Sequence, residues 1–189
     1  MSDLPTELSQ LQAIGAAFYA GKTGRDGARS ALIDLIVRRL KCSRVSLWRF
    51  DGEPGSMGLL CFASKVVGHG LVTTESHLLE TEYAAYFDGL VNTGMYVSVD
   101  AMNDPALQPM RANYLGPNNV LSMLDAAFMV NGRAFGMVCC EQTDVVRRWR
   151  TEEIADLRAI VAKLALLMAR ARDEALWAVP SQLMRPMNA

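Results

Sequence analysis

The sequence lacks an excess of charge of either sign and lacks a long uninterrupted apolar run. Its 189 residues carry 19 basic and 20 acidic side chains, which leaves a formal net charge of −1. A strong basic excess is the usual mark of proteins that bind the phosphate backbone, so we predict no nucleic-acid partner. The longest apolar stretch is interrupted by Lys163 and is too short to span a bilayer, so we predict no membrane partner.

Cysteine is scarce, with four residues at positions 42, 61, 139 and 140. The N-terminus is polar and lacks the signature of a secretory signal, so we expect a cytoplasmic protein in which thiols stay reduced. Adjacent cysteines rarely bridge each other, and we expect all four to be small core residues. A redox sensor at Cys139 and Cys140 is the less favoured hypothesis, because a reactive thiol needs exposure.

Catalytic and metal-binding signatures are also missing. The sequence has no Gly-x-Ser-x-Gly motif and no cysteine with an obvious histidine partner, so we predict no enzymatic activity and no catalytic residue. The two histidines, His69 and His77, lie in a loop-like segment with Glu75 and Glu80. Their spacing matches no standard zinc pattern, so we predict no metal site. No cofactor is identified by the sequence.

The sequence does contain clear helix and strand patterns. Apolar residues recur at helical spacing over residues 8–18 and 32–40, and residues 82–91 also favour a helix. Residues 42–50 and 59–67 alternate as strands do, with Asp51-Gly52 between them as a turn. Residues 96–99 predict a short strand, and residues 106–114 a short helix.

The last part of the chain predicts a hairpin followed by a long helix. Asn131-Gly132 separates two apolar alternating runs, which is the strongest short-range signal for a hairpin. Thr151 is the expected cap of the long helix, followed by Glu152 and Glu153 near the positive end of its dipole. We predict one α+β domain over residues 1–175, with an antiparallel sheet and helices packed on it. Residues 176–189 contain two prolines and are expected to form a loose tail.

Four motifs resemble segments of the GAF domain family and occur in the same order along the chain. The form they resemble is the one found beside bacterial histidine kinases and cyclases. The hairpin VLSMLDAAFMVNGRAFGMVCCE (residues 120–141) resembles the last hairpin of that family, and RWRTEEI (148–154) resembles its entry into the last helix. EYAAYF (82–87) and VDAMNDP (99–105) resemble further family segments. The resemblance covers roughly residues 28–170. It implies a central antiparallel sheet with the N- and C-terminal helices on one face, and loops and short helices over a pocket on the other.

The resemblance also implies where a ligand would lie. Residues two apart in a strand share a face, so Met123 pairs with Asp125 and Cys139 with Glu141 on faces that the family turns toward its ligand. The family places further ligand-facing or lid residues at Trp48, Arg111 and Tyr114, with an aromatic wall formed by Tyr83, Tyr86 and Phe87.

Particular ligands are disfavoured because this sequence lacks the motifs with which other members of the family bind them. No cysteine lies between Val66 and Cys139, so the residue for a thioether-linked bilin is not evident. The Asn-Lys-x-Phe-Asp-Glu pattern of phosphodiesterase GAF domains is missing, and the cysteines do not fall in loops as in the free-methionine-sulfoxide reductase branch. The ligand therefore stays unidentified.

Asp125 interrupts a strongly apolar strand, and a buried carboxylate must be paired, hydrogen-bonded or protonated. One interpretation is a polar anchor for a ligand, opposite Arg111. The favoured alternative is that Asp125 bonds backbone amides or Arg111 and holds the lid segment down, since structural networks also perturb acids. For Glu141 at a strand end, solvation is favoured over ligand contact, and the aromatic residues are more typical of packing than of a cofactor box.

Our leading hypothesis is a sensory or regulatory module that binds a small molecule under a lid at about residues 81–114. It would signal through terminal helices that form a homodimer, and pass the signal to a separate signalling protein. The apolar surface of the last helix is broad enough to suit a partner, because of Leu166, Leu167, Met168 and Trp177. Two alternatives remain: a dimerisation platform whose pocket is filled by its own aromatic side chains, and a small thiol-dependent reductase using Cys61, Cys139 or Cys140.

Overall fold

The computed structural model describes residues 3–73, 76–170 and 175–180. Its four α-helices are α1 (Leu4–Tyr19), α2 (Arg25–Leu40), α3 (Ala84–Thr93) and α4 (Thr151–Arg170). Its six strands are β1 (Arg44–Asp51), β2 (Gly58–Val66), β3 (His77–Leu79), β4 (Met95–Ser98), β5 (Val120–Val130) and β6 (Arg133–Thr143). Three short helical turns cover Pro105–Met110, Arg111–Leu115 and Ala175–Trp177.

Local chemistry explains where the helices begin and end. The Asp3 carboxylate accepts a hydrogen bond from the Thr6 amide at 3.0 Å and so caps the start of α1. Helix α3 ends at Gly94, whose φ of 72° is the left-handed conformation that a glycine adopts without strain. Helix α4 begins at the residue expected to cap it: Thr151 is its first residue, and the Arg150 amide before it donates to the Glu153 carboxylate at 2.9 Å. The expectation that Thr151 caps this helix was therefore wrong by one position.

The six strands form one antiparallel sheet in the order β3-β2-β1-β6-β5-β4. Both predicted hairpins are present, β1 with β2 and β5 with β6. The second turns at Asn131 and Gly132, which both have positive φ, at 52° and 79°. Strand β3 was not predicted, and His77 lies in it rather than in a loop. The sheet confirms the predicted α+β architecture.

One face of the sheet is covered by α2 and α4, with α1 packed on both helices, and we call this the helix side. Its core is largely aliphatic and is almost completely removed from water, including Leu32, Ile36, Val45, Leu124, Ile160 and Leu164. Leu167 is part of this packing, because its Cδ1 would lie 3.4 Å from a Cβ at Gly15 of α1. No helix in the described ranges is long and apolar enough to cross a membrane.

The other face is covered by α3 and the helical segment 105–115, which together we call the lid. The layer between sheet and lid, the lid side, is richer in aromatic and sulfur-containing side chains. Its buried members include Trp48, Phe50, Tyr86, Phe87, Met110, Tyr114, Met123, Met137 and Cys139. Alternate residues of each strand thus divide between two layers of different composition.

The chain after α4 differs from expectation. Leu176, Trp177 and Val179 are buried on the helix side, so the loose tail expected from residue 176 does not begin there. Residues 181–189 of that predicted tail lie outside the described residues. Met168 and Trp177, expected to widen a partner surface, are also buried inside the chain. Leu166 remains 54% exposed.

Candidate functional site

Asp125 occupies the centre of the lid side. It lies in β5 opposite Cys139 of β6 and Tyr96 of β4, and its side chain is completely buried. The Tyr86 hydroxyl of α3 donates to Asp125 Oδ2 at 2.7 Å. The Cys139 thiol lies beside the carboxyl but is at most a weak donor. No N–H or O–H group of the described residues reaches Asp125 Oδ1.

Burial dominates the protonation of this carboxyl. Removal from water raises the pKa of Asp125 from 3.8 to about 7, against the lowering effect of the Cys139 and Tyr86 contacts. The negative charge of Glu141 raises it further. A carboxyl with this pKa is close to half ionised at neutral pH. Small changes in the surroundings of Asp125 therefore decide whether it is an ionised carboxylate that accepts hydrogen bonds or a protonated carboxyl that can donate one.

A second polar group on the lid side joins three segments of the chain. Arg44 of β1 forms a buried ion pair with Glu141 of β6. Its guanidinium also donates to the Tyr114 hydroxyl at 3.1 Å and to Asn118 Oδ1 at 2.8 Å. The Tyr114 hydroxyl donates in turn to Glu141 Oε1 at 2.7 Å. The expectation that Glu141 is solvated was wrong, because Arg44 supplies a partner that allows its complete burial.

The charges of this group are balanced, unlike that of Asp125. Burial alone would lower the pKa of Arg44, but the Glu141 charge and hydrogen bond outweigh it and raise that pKa. Burial and the Glu141 charge also raise the pKa of the Tyr114 phenol, which stays protonated as a donor. These contacts and the Tyr86–Asp125 bond both tie the lid to the sheet. The lid is therefore held by polar bonds in an otherwise apolar layer.

The aromatic residues predicted to form the wall of a pocket are buried together on the lid side. The ring of Tyr86 lies edge-on to Phe87 and to Tyr96, with centroids 5.9 Å and 5.0 Å apart. Trp48 lies edge-on to Tyr114 at 6.1 Å, and its indole N–H donates to Ser46 Oγ at 2.8 Å. Tyr83 precedes α3 and is buried. The Ser98 hydroxyl on the neighbouring strand β4 is buried and has no hydrogen-bond partner within the described part of the chain.

The structure brings most of the predicted site residues together on the lid side. Met123 and Asp125 share a face of β5, and Cys139 and Glu141 share a face of β6, as alternation predicted. Arg111 is the exception, because it is exposed at the start of the helical turn Arg111–Leu115. The buried arginine of the site is Arg44, which sequence reasoning missed. Strand alternation could have found it, because Arg44 lies two residues before Ser46 and so shares the face of β1 that carries Trp48.

The thiols are poorly placed for redox or nucleophilic chemistry. All four cysteines are buried, and none of them is in a disulfide. Burial, followed by the charge of Asp125, raises the pKa of Cys139 well above that of an ordinary thiol, and burial does the same to Cys140. Thiolate is the reactive form, so this environment disfavours the reductase hypothesis. Among the described residues no group of three or more His, Cys, Asp and Glu side chains is arranged to hold a metal ion.

The family model for the GAF domain matches residues 28–168 of this sequence. No curated protein matches it. The phycocyanobilin-bound GAF domain of a cyanobacterial phytochrome is similar in structure, with a TM-score of 0.68 and 14% identity over 90% of this chain and 96% of that one. At such identities the likeness concerns the fold.

Two further solved structures give the same result. The blue-light-absorbing form of the PixJ GAF domain from Thermosynechococcus elongatus has a TM-score of 0.63 and 19% identity, covering 87% of this chain and 88% of that one. The chromophore-binding domain of a bacteriophytochrome from Stigmatella aurantiaca has a TM-score of 0.64 and 13% identity, covering 89% and 60%.

Proposed function

Because this chain belongs to the GAF domain family, we propose that it is a sensory module that binds a small molecule between its sheet and its lid. The observation that carries this proposal is Asp125, a fully buried carboxyl with one oxygen lacking a donor. Burying such a group costs free energy that a purely structural core would avoid. Several structural neighbours are bound to bilins, which supports the binding of a small molecule.

The chemistry of the site defines the kind of ligand. Asp125 Oδ1 and the Ser98 hydroxyl are both without partners in the described residues, and β4–β5 pairing places them diagonally on neighbouring strands. A ligand with an N–H or N–H⁺ group directed at Asp125, and a flat apolar body, would satisfy these groups and contact the aromatic wall. The ligand would be held without a covalent bond, because the four thiols are buried.

Entry of the ligand requires the lid to move. The side chains of Tyr86 and Tyr114 now lie buried against the sheet, and their hydroxyl groups bond to Asp125 and Glu141. A ligand that takes the place of the Tyr86 hydroxyl at Asp125 frees α3 from the sheet. Signalling then follows from differential binding to the open and closed lid.

The output would pass through a homodimer of terminal helices to a separate signalling protein. Helices α1 and α4 lie side by side, and Lys163 donates to Gln12 across them at 2.8 Å. The exposed Leu166 is the apolar side chain of α4 available to a second copy. A Leu166→Glu variant should lower the apparent mass in size-exclusion chromatography, whereas a wild type that elutes as a monomer would remove the dimer from the proposal.

A ligand-free dimerisation platform is the second candidate. It is favoured by the close packing of the lid side, where Tyr86, Phe87, Leu90 and Leu107 are all fully buried. In that case the aromatic side chains themselves fill the space that a ligand would occupy. The two candidates differ in whether the purified protein retains a small molecule.

Native mass spectrometry of freshly purified protein, before and after denaturation, separates the two. We expect a retained small molecule in the wild type, less of it in Asp125→Asn, and an unchanged amount in Asp88→Asn. Asp88 is the matched control because it lies on α3 but is exposed to solvent. A dimer without any retained molecule in all three proteins would support the platform and contradict the sensory proposal.

A further inference from the structure

Residues 175–180, which we call the strap, lie against the helix side with Trp177 as their anchor. The Trp177 side chain is 0% exposed. Its ring lies edge-on to Phe62 and Phe128, with centroids 5.2 Å and 5.1 Å away. Its indole N–H donates to the backbone carbonyl of Trp48 at 2.9 Å. The strap is thus fastened to the middle of strand β1.

Space for this anchor depends on Gly136 of β6. A Cβ at that position would lie 2.4 Å from Trp177 Nε1 and 2.5 Å from Phe128 Cζ. Atoms in proteins do not approach so closely, so the indole occupies a recess that only glycine leaves open. The fit is specific to a large flat side chain.

Arg29 of α2 holds the strap from the other side. Its Nε donates to the Leu176 carbonyl at 3.0 Å and its Nη2 to the Ala178 carbonyl at 2.5 Å. Its guanidinium also lies 4.5 Å from the centroid of the Phe62 ring. Burial lowers the pKa of Arg29 to about 10, so the protein buries a charge that donates to two carbonyls of the strap.

Trp48 connects the strap to the lid side. Its carbonyl accepts the bond from Trp177, while its own ring lies under the lid beside Tyr114. The pairing of β1 with β2 shifts register between Leu47 and Trp48, which leaves Phe62 as the extra residue of a bulge. Bulges locally interrupt the ladder and change the direction of side chains. The same residue of β1 therefore contacts the lid on one face and the strap on the other.

We propose that the strap reports the state of the lid: it is docked while Tyr114 packs on Trp48, and it is released when the lid is displaced. This rests on the proposed function in one respect, that a ligand is what displaces the lid. Movement of the Trp48 ring shifts its backbone carbonyl and weakens the Trp177 bond. Linkage makes the coupling reciprocal, so release of the strap also loosens the lid.

The coupling can be tested without any ligand. Tyr114→Phe removes the hydroxyl that bonds Glu141 and Arg44, and Tyr96→Phe is the matched control, since its hydroxyl bonds Asp104 instead. Hydrogen exchange of the full-length protein is measured for amides of residues 175–179, with the amides of residues 32–36 in α2 as an internal reference for global unfolding. The ¹⁹F spectrum of 5-fluorotryptophan-labelled protein reports the three tryptophans, assigned with Trp149→Phe and Trp177→Phe.

We expect strap exchange to rise about fivefold or more in Tyr114→Phe, with both the Trp48 and Trp177 signals shifted, and no change in Tyr96→Phe. The reverse direction is tested with Arg29→Lys, which keeps the charge but cannot bond both the Leu176 and the Ala178 carbonyl as arginine does. Because this substitution loosens the strap, hydrogen exchange of residues 111–116 in the lid should rise by a similar factor. The proposal is overturned if Tyr114→Phe shifts the Trp48 signal while hydrogen exchange of the strap stays constant. It is also overturned if Arg29→Lys speeds exchange of the strap while exchange of residues 111–116 stays constant. Since no ligand is added, these results stand whichever way the mass spectrometry on Asp125 turns out.

Discussion

The two layers of this sheet bury polar groups in different ways. On the helix side the described ion pairs keep at least one partner partly exposed, as with Arg39, 19% exposed beside Glu7 and Asp156, and Lys65 with Asp34, at 18% and 41%. On the lid side the pair of Arg44 and Glu141 is buried, and Asp125 is buried without any cation. Ion pairs at a margin add little to stability, whereas buried ones make each partner depend on the other.

This difference indicates a division of labour within one sheet. The helix side gains its stability mainly from burial of closely packed aliphatic side chains. The lid side keeps polar bonds that can be exchanged for bonds to another molecule. The predictions below test whether the two layers respond to substitution as differently as their contacts indicate.

The largest effect is expected from Arg44→Met. It leaves Glu141 as an unpaired buried carboxylate, and we expect a loss of about 3–5 kcal/mol in the free energy of unfolding. Urea denaturation measures this loss. The double variant Arg44→Met with Glu141→Met should recover most of it, because no charge is then buried alone. A single variant that loses less than about 1 kcal/mol would show that the lid side does not depend on this pair.

Asp125 should give the lid side its own dependence on pH. The folded carboxyl titrates at about 7 and the unfolded one near 3.8, so between these values the folded protein holds a proton that the unfolded chain releases. Stability from this group is therefore fully present below about pH 4 and is lost as pH rises toward 7, by on the order of 4 kcal/mol in total. Urea titrations from pH 4.5 to 8 should show this decline in the wild type and not in Asp125→Asn. Parallel curves for the two proteins would contradict the assignment.

The smallest effect is expected at the margin of the helix side. Lys65 bonds Asp34 at 2.6 Å and Ser30 at 3.2 Å, in contact with solvent. Asp34→Asn should change the free energy of unfolding by less than about 1 kcal/mol. The change should be smaller still in about 0.5 M salt, because dissolved ions screen charges that are in contact with solvent. A loss comparable to that of Arg44→Met would remove the contrast between the two layers.

Periodicity was enough to predict most of the fold. The helices and both long hairpins have apolar repeats of the right spacing, and Asn131-Gly132 specifies its turn through positive φ. Strand β3 was missed because three residues contain no measurable alternation. Alternation also grouped Met123 with Asp125 and Cys139 with Glu141, and these residues share the lid side with Trp48.

The partners within the site could not be predicted in the same way. Whether Glu141 is solvated or buried depends on Arg44, which comes from a strand at the other end of the chain. Arg111 was expected in the site from the family resemblance, although its side chain is exposed. Trp177 lies between a helix end and two prolines, a context that predicts a loose tail. Its burial depends on a recess made by other strands. Such long-range complementarity leaves no local pattern in the sequence.

The recess at Gly136 also has an evolutionary consequence. Any side chain at that position would occupy the place of the Trp177 indole, so the two positions are not free to change separately. A descendant that acquires alanine at position 136 has to replace the tryptophan or abandon the docking of residues 175–180. A descendant that keeps the glycine retains the option of both arrangements. We therefore expect homologues that keep this docked strap to carry both the glycine and the tryptophan.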